Sequence, residues 1–241
     1  MRKAIYFFIC FLWVISTDVS AGISLSQAIV HFEEDGKRSE DVEVFNQGDE
    51  TVYIRVEANV IENPGLENEN RTLVRDPKKS GLLVTPQRLI IPAGTRKRLR
   101  FVRLNKPEQL SQDAVYRVLV KPEVGEVSAQ QTAVKIIVAY EVLVLSQPKN
   151  AKINVQHKVN DGWLTLTNLG NTNLLLQKGF QCPKGQSMES ESNQCVELAG
   201  KRIYAGATWR VKVPFSTPVT YQYSVGLEND SIEFDLDAKK N

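Results

Sequence analysis

The run Thr132-Ala-Val-Lys-Ile-Ile-Val-Ala-Tyr-Glu-Val-Leu-Val-Leu145 decides how the rest of the chain is read. It is rich in β-branched residues and holds neither Gly nor Pro, which suits a pleated, buried strand. It is too short, and too interrupted by charge, to span a bilayer. Its first half alternates, with Thr132, Val134, Ile136 and Val138 on one face and Ala133, Lys135, Ile137 and Ala139 on the other. A strand of this character must be covered on its faces and paired at its edges, or it becomes a template for another chain.

Upstream, Arg2 and Lys3 precede an apolar run from Ala4 to Ile15 and then Val19-Ser20-Ala21. This is the pattern of a signal peptide over residues 1–21, with a mature chain beginning near Gly22. Roughly 220 remaining residues suit two domains of about 100 each. Losing Arg2, Lys3 and Asp18 takes the formal charge from +2 to +1, too small a field to draw in nucleic acid or an anionic membrane. Cys10 leaves with the signal. Cys182 and Cys195 remain, and an even pair in an exported chain reads as a disulfide. A metal pair would need His or Cys partners nearby, which the sequence lacks.

Short β-type runs with turn signals between them fill the first half. Ser24–Phe32, Ser39–Phe45 and Thr51–Ile61 come first, the last placing Val52, Ile54, Val56, Ala58 and Val60 on one face. Leu66–Ser80 is polar and charged and reads as a long loop. Leu82–Val84, Arg88–Ile91, Arg96–Leu104 and Val115–Val120 then lead into the central run. Ser146-Gln-Pro148 reads as a linker, separating a first domain over 22–145 from a second over 149–241. The second half repeats the habit, with Asp161-Gly162 as a hairpin signal between Ile153–Val159 and Trp163–Leu166. No long amphipathic helix stands out, so the chain reads as all-β, two sandwiches in series.

Catalytic patterns are missing. His31 and His157 stand apart without ligand-spaced partners, and no nucleophile motif, phosphate-binding glycine loop or HExxH helix occurs. The one basic cluster, Arg96-Lys97-Arg98, Arg100 and Arg103, alternates with Leu99 and Phe101 and so reads as a solvated strand face. Nucleic-acid binding would need interleaved exposed aromatics and a larger net charge.

Leu82-Leu-Val-Thr-Pro-Gln-Arg-Leu-Ile-Ile-Pro-Ala-Gly-Thr-Arg-Lys-Arg-Leu-Arg100, followed by Val115-Tyr-Arg-Val118, resembles the periplasmic chaperones of the chaperone–usher pilus pathway. The likeness is to the alternate branch that serves colonisation-factor fimbriae, which Asn63-Pro-Gly65 and the second-domain cysteine pair also match. The resemblance implies two immunoglobulin-like sandwiches in an L-shaped arrangement and a non-enzymatic protein without cofactor, ATP or metal. It implies periplasmic partners: major and minor pilin subunits and an outer-membrane usher, with no nucleic acid and no small-molecule substrate. Self-capping of the free protein as a homo-oligomer is compatible with it.

In such chaperones one strand fills the groove of an incomplete pilin, and here that role maps onto Thr132, Val134, Ile136 and Val138. A basic anchor for the pilin's terminal carboxylate is also implied. This chain departs from the usual pattern, with Ile29 near the first-strand position and Lys135 out of register, so Arg117 is the expected anchor and Lys135 the fallback. Two other readings remain: a fimbrial structural subunit or minor adhesin built from the same sandwiches, and a secreted binding module for carbohydrate or protein.

Overall fold

The computed structural model describes residues 22–123, 137–188 and 194–236. The expected signal segment, and Thr132, Val134, Lys135 and Ile136, lie outside the described residues.

Among the described residues, ten strands make up the first sandwich: β1 (Ile23–Leu25), β2 (Ile29–Phe32), β3 (Ser39–Asn46), β4 (Val52–Glu62), β5 (Asn70–Leu73), β6 (Leu82–Thr85), β7 (Arg88–Ile91), β8 (Arg96–Arg103), β9 (Ala114–Glu123) and β10 (Tyr140–Ser146). One sheet runs β1-β3-β8-β6; the other runs β2-β10-β9-β4-β5, with β7 also paired to β4. Alternation explains the packing. Val42, Val44, Ile54, Val56, Leu99, Phe101, Tyr116, Val118, Val142 and Val144 point inward from their strands and form one buried cluster. The opposite face of β8 carries Arg96, Arg98 and Arg100, which pair across the strands with Glu43 and Asp41. Arg100 holds Asp41 with two bonds, at 2.8 and 2.9 Å, which keep that carboxyl below its ordinary range. Arg96, Arg98 and Arg100 form a solvated strand face, but Arg103, expected on it, is 3% exposed and donates to the Glu33 carbonyl at 2.8 Å, because its parity on β8 is that of Leu99 and Phe101.

Two further expectations from sequence change. Ser24–Phe32 is not one strand: β1 pairs antiparallel with β3, and the chain then crosses to the other sheet, where β2 pairs parallel with β10. The polar stretch Leu66–Ser80 is not wholly loop. It contains β5, every residue of which is exposed, and a one-turn helix α1 (Pro77–Ser80). Asp76 caps α1, its side chain accepting from the Lys78 amide at 3.0 Å.

Eight strands among the described residues make up the second sandwich: β11 (Val155–Asn160), β12 (Trp163–Asn168), β13 (Leu174–Gln181), β14 (Val196–Leu198), β15 (Lys201–Ile203), β16 (Thr208–Lys212), β17 (Val219–Val225) and β18 (Glu228–Phe234). A β11-β12-β16 sheet faces a β14-β13-β17-β18 sheet, with β15 also on β13. Leu164, Leu166, Leu176, Tyr221 and Phe234 lie at the centre of its core. The β11–β12 hairpin turns at Asp161-Gly162 with φ of 50° and 73°, the double left-handed geometry a two-residue hairpin requires. Cys182 and Cys195 form a disulfide. The fold is all-β, two immunoglobulin-like sandwiches.

The two sandwiches meet through a buried polar knot. Asp113, just before β9, takes all its bonds on Oδ2: from the Asn173 backbone at 2.6 Å, the Asn173 side chain at 2.5 Å and the Thr172 hydroxyl at 3.2 Å. Its amide donates to the Asn171 carbonyl at 3.0 Å. Burial pushes the Asp113 carboxyl up, against the pull of these bonds. Asp113→Ala therefore strands two buried Asn173 donors, at about 1–3 kcal/mol. Calorimetry of this variant should resolve two melting transitions where the parent shows closer coupling.

Tyr116 is buried in the first core and donates to the Ser80 carbonyl at 2.6 Å, tying α1 to the sandwich. Burial pushes its phenol up to about 12. A raised folded-state value means its contribution is fully present below pH ~10 and is lost as pH rises through about 12. Tyr116→Phe should cost about 1 kcal/mol at neutral pH and flatten the alkaline fall in stability, measured by denaturant titration.

Candidate functional site

Strand β10 is paired on one side along its whole length and on the other only in part. Against β9 the register runs from Tyr140↔Val120 to Ser146↔Ala114. Against β2 it begins at Leu143↔Ile29, with the Leu143 amide donating to the Ala28 carbonyl at 2.9 Å. Among the described residues no strand pairs with that edge of Tyr140–Val142. The reason is local. Ser26 is already bonded to Glu43 of β3, backbone to backbone at 3.0 Å and through its hydroxyl at 3.0 Å. The chain therefore has only Gln27 and Ala28 in which to reach the second sheet.

Going towards the N-terminus from β10, the same face emerges from the core. Val144 and Val142 are fully buried and Tyr140 is half-buried, its hydroxyl donating to the Ile23 carbonyl at 2.9 Å. Val138, on that face, is 50% exposed, and Ile137 on the other is 40% exposed. Neither is in a strand ladder. Of the four residues expected to enter a partner's groove, Val138 is the one within the described residues.

The outer face of the same sheet meets the second sandwich. Ile61, Val115, Leu143 and Leu145 form a small buried cluster that Tyr204, just beyond β15, packs against. Gly65, in the turn after β4, makes room for this ring. Its φ is +74°, and a Cβ there would stand 3.1 Å from the Tyr204 ring. Adjacent rows of side chains follow from the register. Ile61, Val115, Leu145 and His31 share the row beneath the second sandwich; Asn59, Arg117, Leu143 and Ile29 share the next one out.

Arg117 thus stands at the mouth of the interdomain crevice, with its side chain 30% exposed. Its nearest carboxylate is Glu141 at 3.8 Å, and Glu141 is held more closely by Arg71 at 2.8 Å. Ile29, near the first-strand position expected for an anchor, is exposed in the same row as Arg117.

Sequence reading missed the second sandwich's contribution. Arg202 on β15 and Tyr204 reach the crevice because β15 pairs with β13, a non-local event that Lys201–Tyr204 does not advertise. Burial pushes the Tyr204 phenol up, while Arg117 and Arg202 both pull it down. His31 is held below its ordinary value by burial and by Arg202. Among the described residues no group of His, Cys, Asp or Glu could hold a metal ion, and no helix is long and apolar enough to cross a membrane. Among the described residues the arrangement offers a strand edge without a paired neighbour, ending near Arg117 and Arg202.

No model of a known protein family matches the chain. Two Escherichia coli proteins, both named for fimbriae, are similar in sequence. A fimbrial subunit of CS1 is 27% identical over 184 residues, covering 72% of this chain and 74% of that protein. A fimbrial subunit of CFA/I is 29% identical over 173 residues, covering 69% and 70%. Among solved structures, the class 5 fimbriae chaperone CfaA is 24% identical with a TM-score of 0.63, over 88% of this chain and 97% of that one. A chain of the Salmonella enterica SafA pilin–SafB chaperone complex is 13% identical with a TM-score of 0.60, over 92% and 99%. The structural neighbours are fimbrial chaperones of the chaperone–usher pathway, and this chain shares their two-sandwich fold.

Proposed function

We propose that the chain is a periplasmic chaperone that binds pilin subunits by lending them a strand, stabilises their fold and delivers them to an outer-membrane usher. No catalysis, ATP or metal enters this account. The observation that carries it is where the edge of β10 closes. A strand added beside Tyr140–Val142, running parallel to β10 as β2 does, must end where β2 begins. That point is the row of Ile29, Leu143 and Arg117. A chain ending there brings its terminal carboxylate to the basic mouth of the crevice, where an Arg can bind it through two hydrogen bonds. Residues 132–138 would supply the apolar row for the partner's pockets, each buried side chain contributing roughly 1.5–3 kcal/mol before ordering costs. The ligand chemistry is that of an incomplete β-sandwich with a free C-terminus.

The two sequence relatives carry the names of fimbrial subunits, which favours a second reading, a structural component of the fimbria itself. Against it, the first sandwich is completed by its own β10, seated between β2 and β9. A pilin awaiting a donated strand would lack that element. Co-purification separates the two: a chaperone comes down with one distinct pilin, a structural component as a polymer.

Arg117→Ala should abolish pilin capture while the free protein keeps its melting temperature; normal pilin recovery from the periplasm would remove Arg117 from the site. Val134→Asp combined with Ile136→Asp should leave the pilins to be degraded. Continued pilin accumulation in that variant would refute the strand assignment.

A further inference from the structure

Arg117 projects from β9, which lies two strand spacings, about 10 Å, from the line along which β2 runs. An added strand ends on that line, so Arg117 must reach across Leu143 to meet its terminus. Arg202 comes from the opposite wall. It is half-buried, and its charge acts on His31, the β2 residue paired with Leu145, and on Arg117. Asn173, itself bonded to Asp113, accepts a hydrogen bond from Arg202 and holds the guanidinium in place. Among the described residues no carboxylate lies within ion-pair distance of Arg202.

The neighbouring acids carry other hydrogen bonds, although Asp113 Oδ1 has no hydrogen-bond partner among the described residues and the Asp113 charge acts on Arg202. Asp113 Oδ2 is taken by Thr172 and Asn173, Glu141 by Arg71, Glu69 by the Gly65 amide at 2.8 Å, and Glu33 by the Leu227 amide at 3.1 Å. Arg117 and Arg202 therefore reach the contact between the sandwiches from opposite sides, with the Asp113 charge acting on Arg202 and Glu141 3.8 Å from Arg117. Two planar guanidinium forks approaching from opposite sides suit one carboxylate, each fork taking one or both oxygens.

We propose that Arg202 and Arg117 form a clamp for the partner's terminal carboxylate that spans both sandwiches, Arg202 covering the end of the added strand and Arg117 its inboard side. This rests on the chaperone reading and assigns the second sandwich a direct part in recognition.

The test uses the mature full-length chain and a short synthetic peptide of alternating threonine and valine, as free acid and as C-terminal amide. Titration calorimetry gives the acid-over-amide affinity ratio for the parent, Arg117→Gln, Arg202→Gln and Arg202→Lys. The clamp predicts that Arg202→Gln lowers the ratio about tenfold with amide affinity unchanged, as losing a charge-assisted hydrogen bond would. Arg202→Lys, which keeps the charge without the fork, should fall between and guards against a folding defect in the Gln variant. If Arg202→Gln keeps the parent's ratio, or weakens acid and amide alike, while Arg117→Gln collapses it, the clamp is wrong and the anchor at Arg117 stands. If the parent itself does not distinguish acid from amide, the carboxylate anchor fails and the clamp with it.

Discussion

Backbone hydrogen bonding at the start of the chain constrains everything else. Ile23–Leu25 satisfies its polar groups on β3, so the chain cannot also cover β10 at the same height. After the crossing at Gln27 and Ala28, β2 joins β10 in parallel and seals it from Leu143 onward. Among the described residues that sheet edge is therefore closed at one end and without a paired strand at the other. Unpaired strand edges invite pairing by other chains, and most proteins cover them. Here the open stretch leads directly into exposed Ile137 and Val138, which keeps apolar surface and backbone donors side by side.

The second sandwich sets what lies at the closed end. Its hold on the first is polar as well as apolar: Asp113 gathers Thr172 and Asn173, while Tyr204 fills the space over Val115 and Leu145. Burying a carboxylate is costly unless its bonds are made, and here three donors converge on one oxygen. The same Asn173 steadies Arg202, so the contact that joins the sandwiches also orients a cation in the crevice.

Much of this could be read from residue order, where local chemistry decides. The alternation of Val52–Val60, the Asp161-Gly162 hairpin, the Arg96, Arg98 and Arg100 face of β8 and the cysteine pair all emerged as read, whereas Arg103 is buried. The crossing between Leu25 and Ile29 could not be read, because Ser24–Phe32 alternates no differently where it leaves one sheet for the other. Strand β5 escaped notice because all four of its residues are exposed, leaving no apolar period to detect. Arg117 could be singled out through a resemblance, whereas Arg202 could not, since its place depends on β15 pairing with β13 far from the first sandwich.

The abrupt start of β2 beside Leu143 has a further effect under the proposed reading. A guest strand is indexed from its last residue, as a rod pushed against a backstop is. Side chains on a strand point alternately to either face, so lengthening the guest by one residue would turn its entire oily row outward, whereas adding two would merely slide it. The site would thus sense odd from even, rejecting tails whose composition is suitable but whose count is off by one.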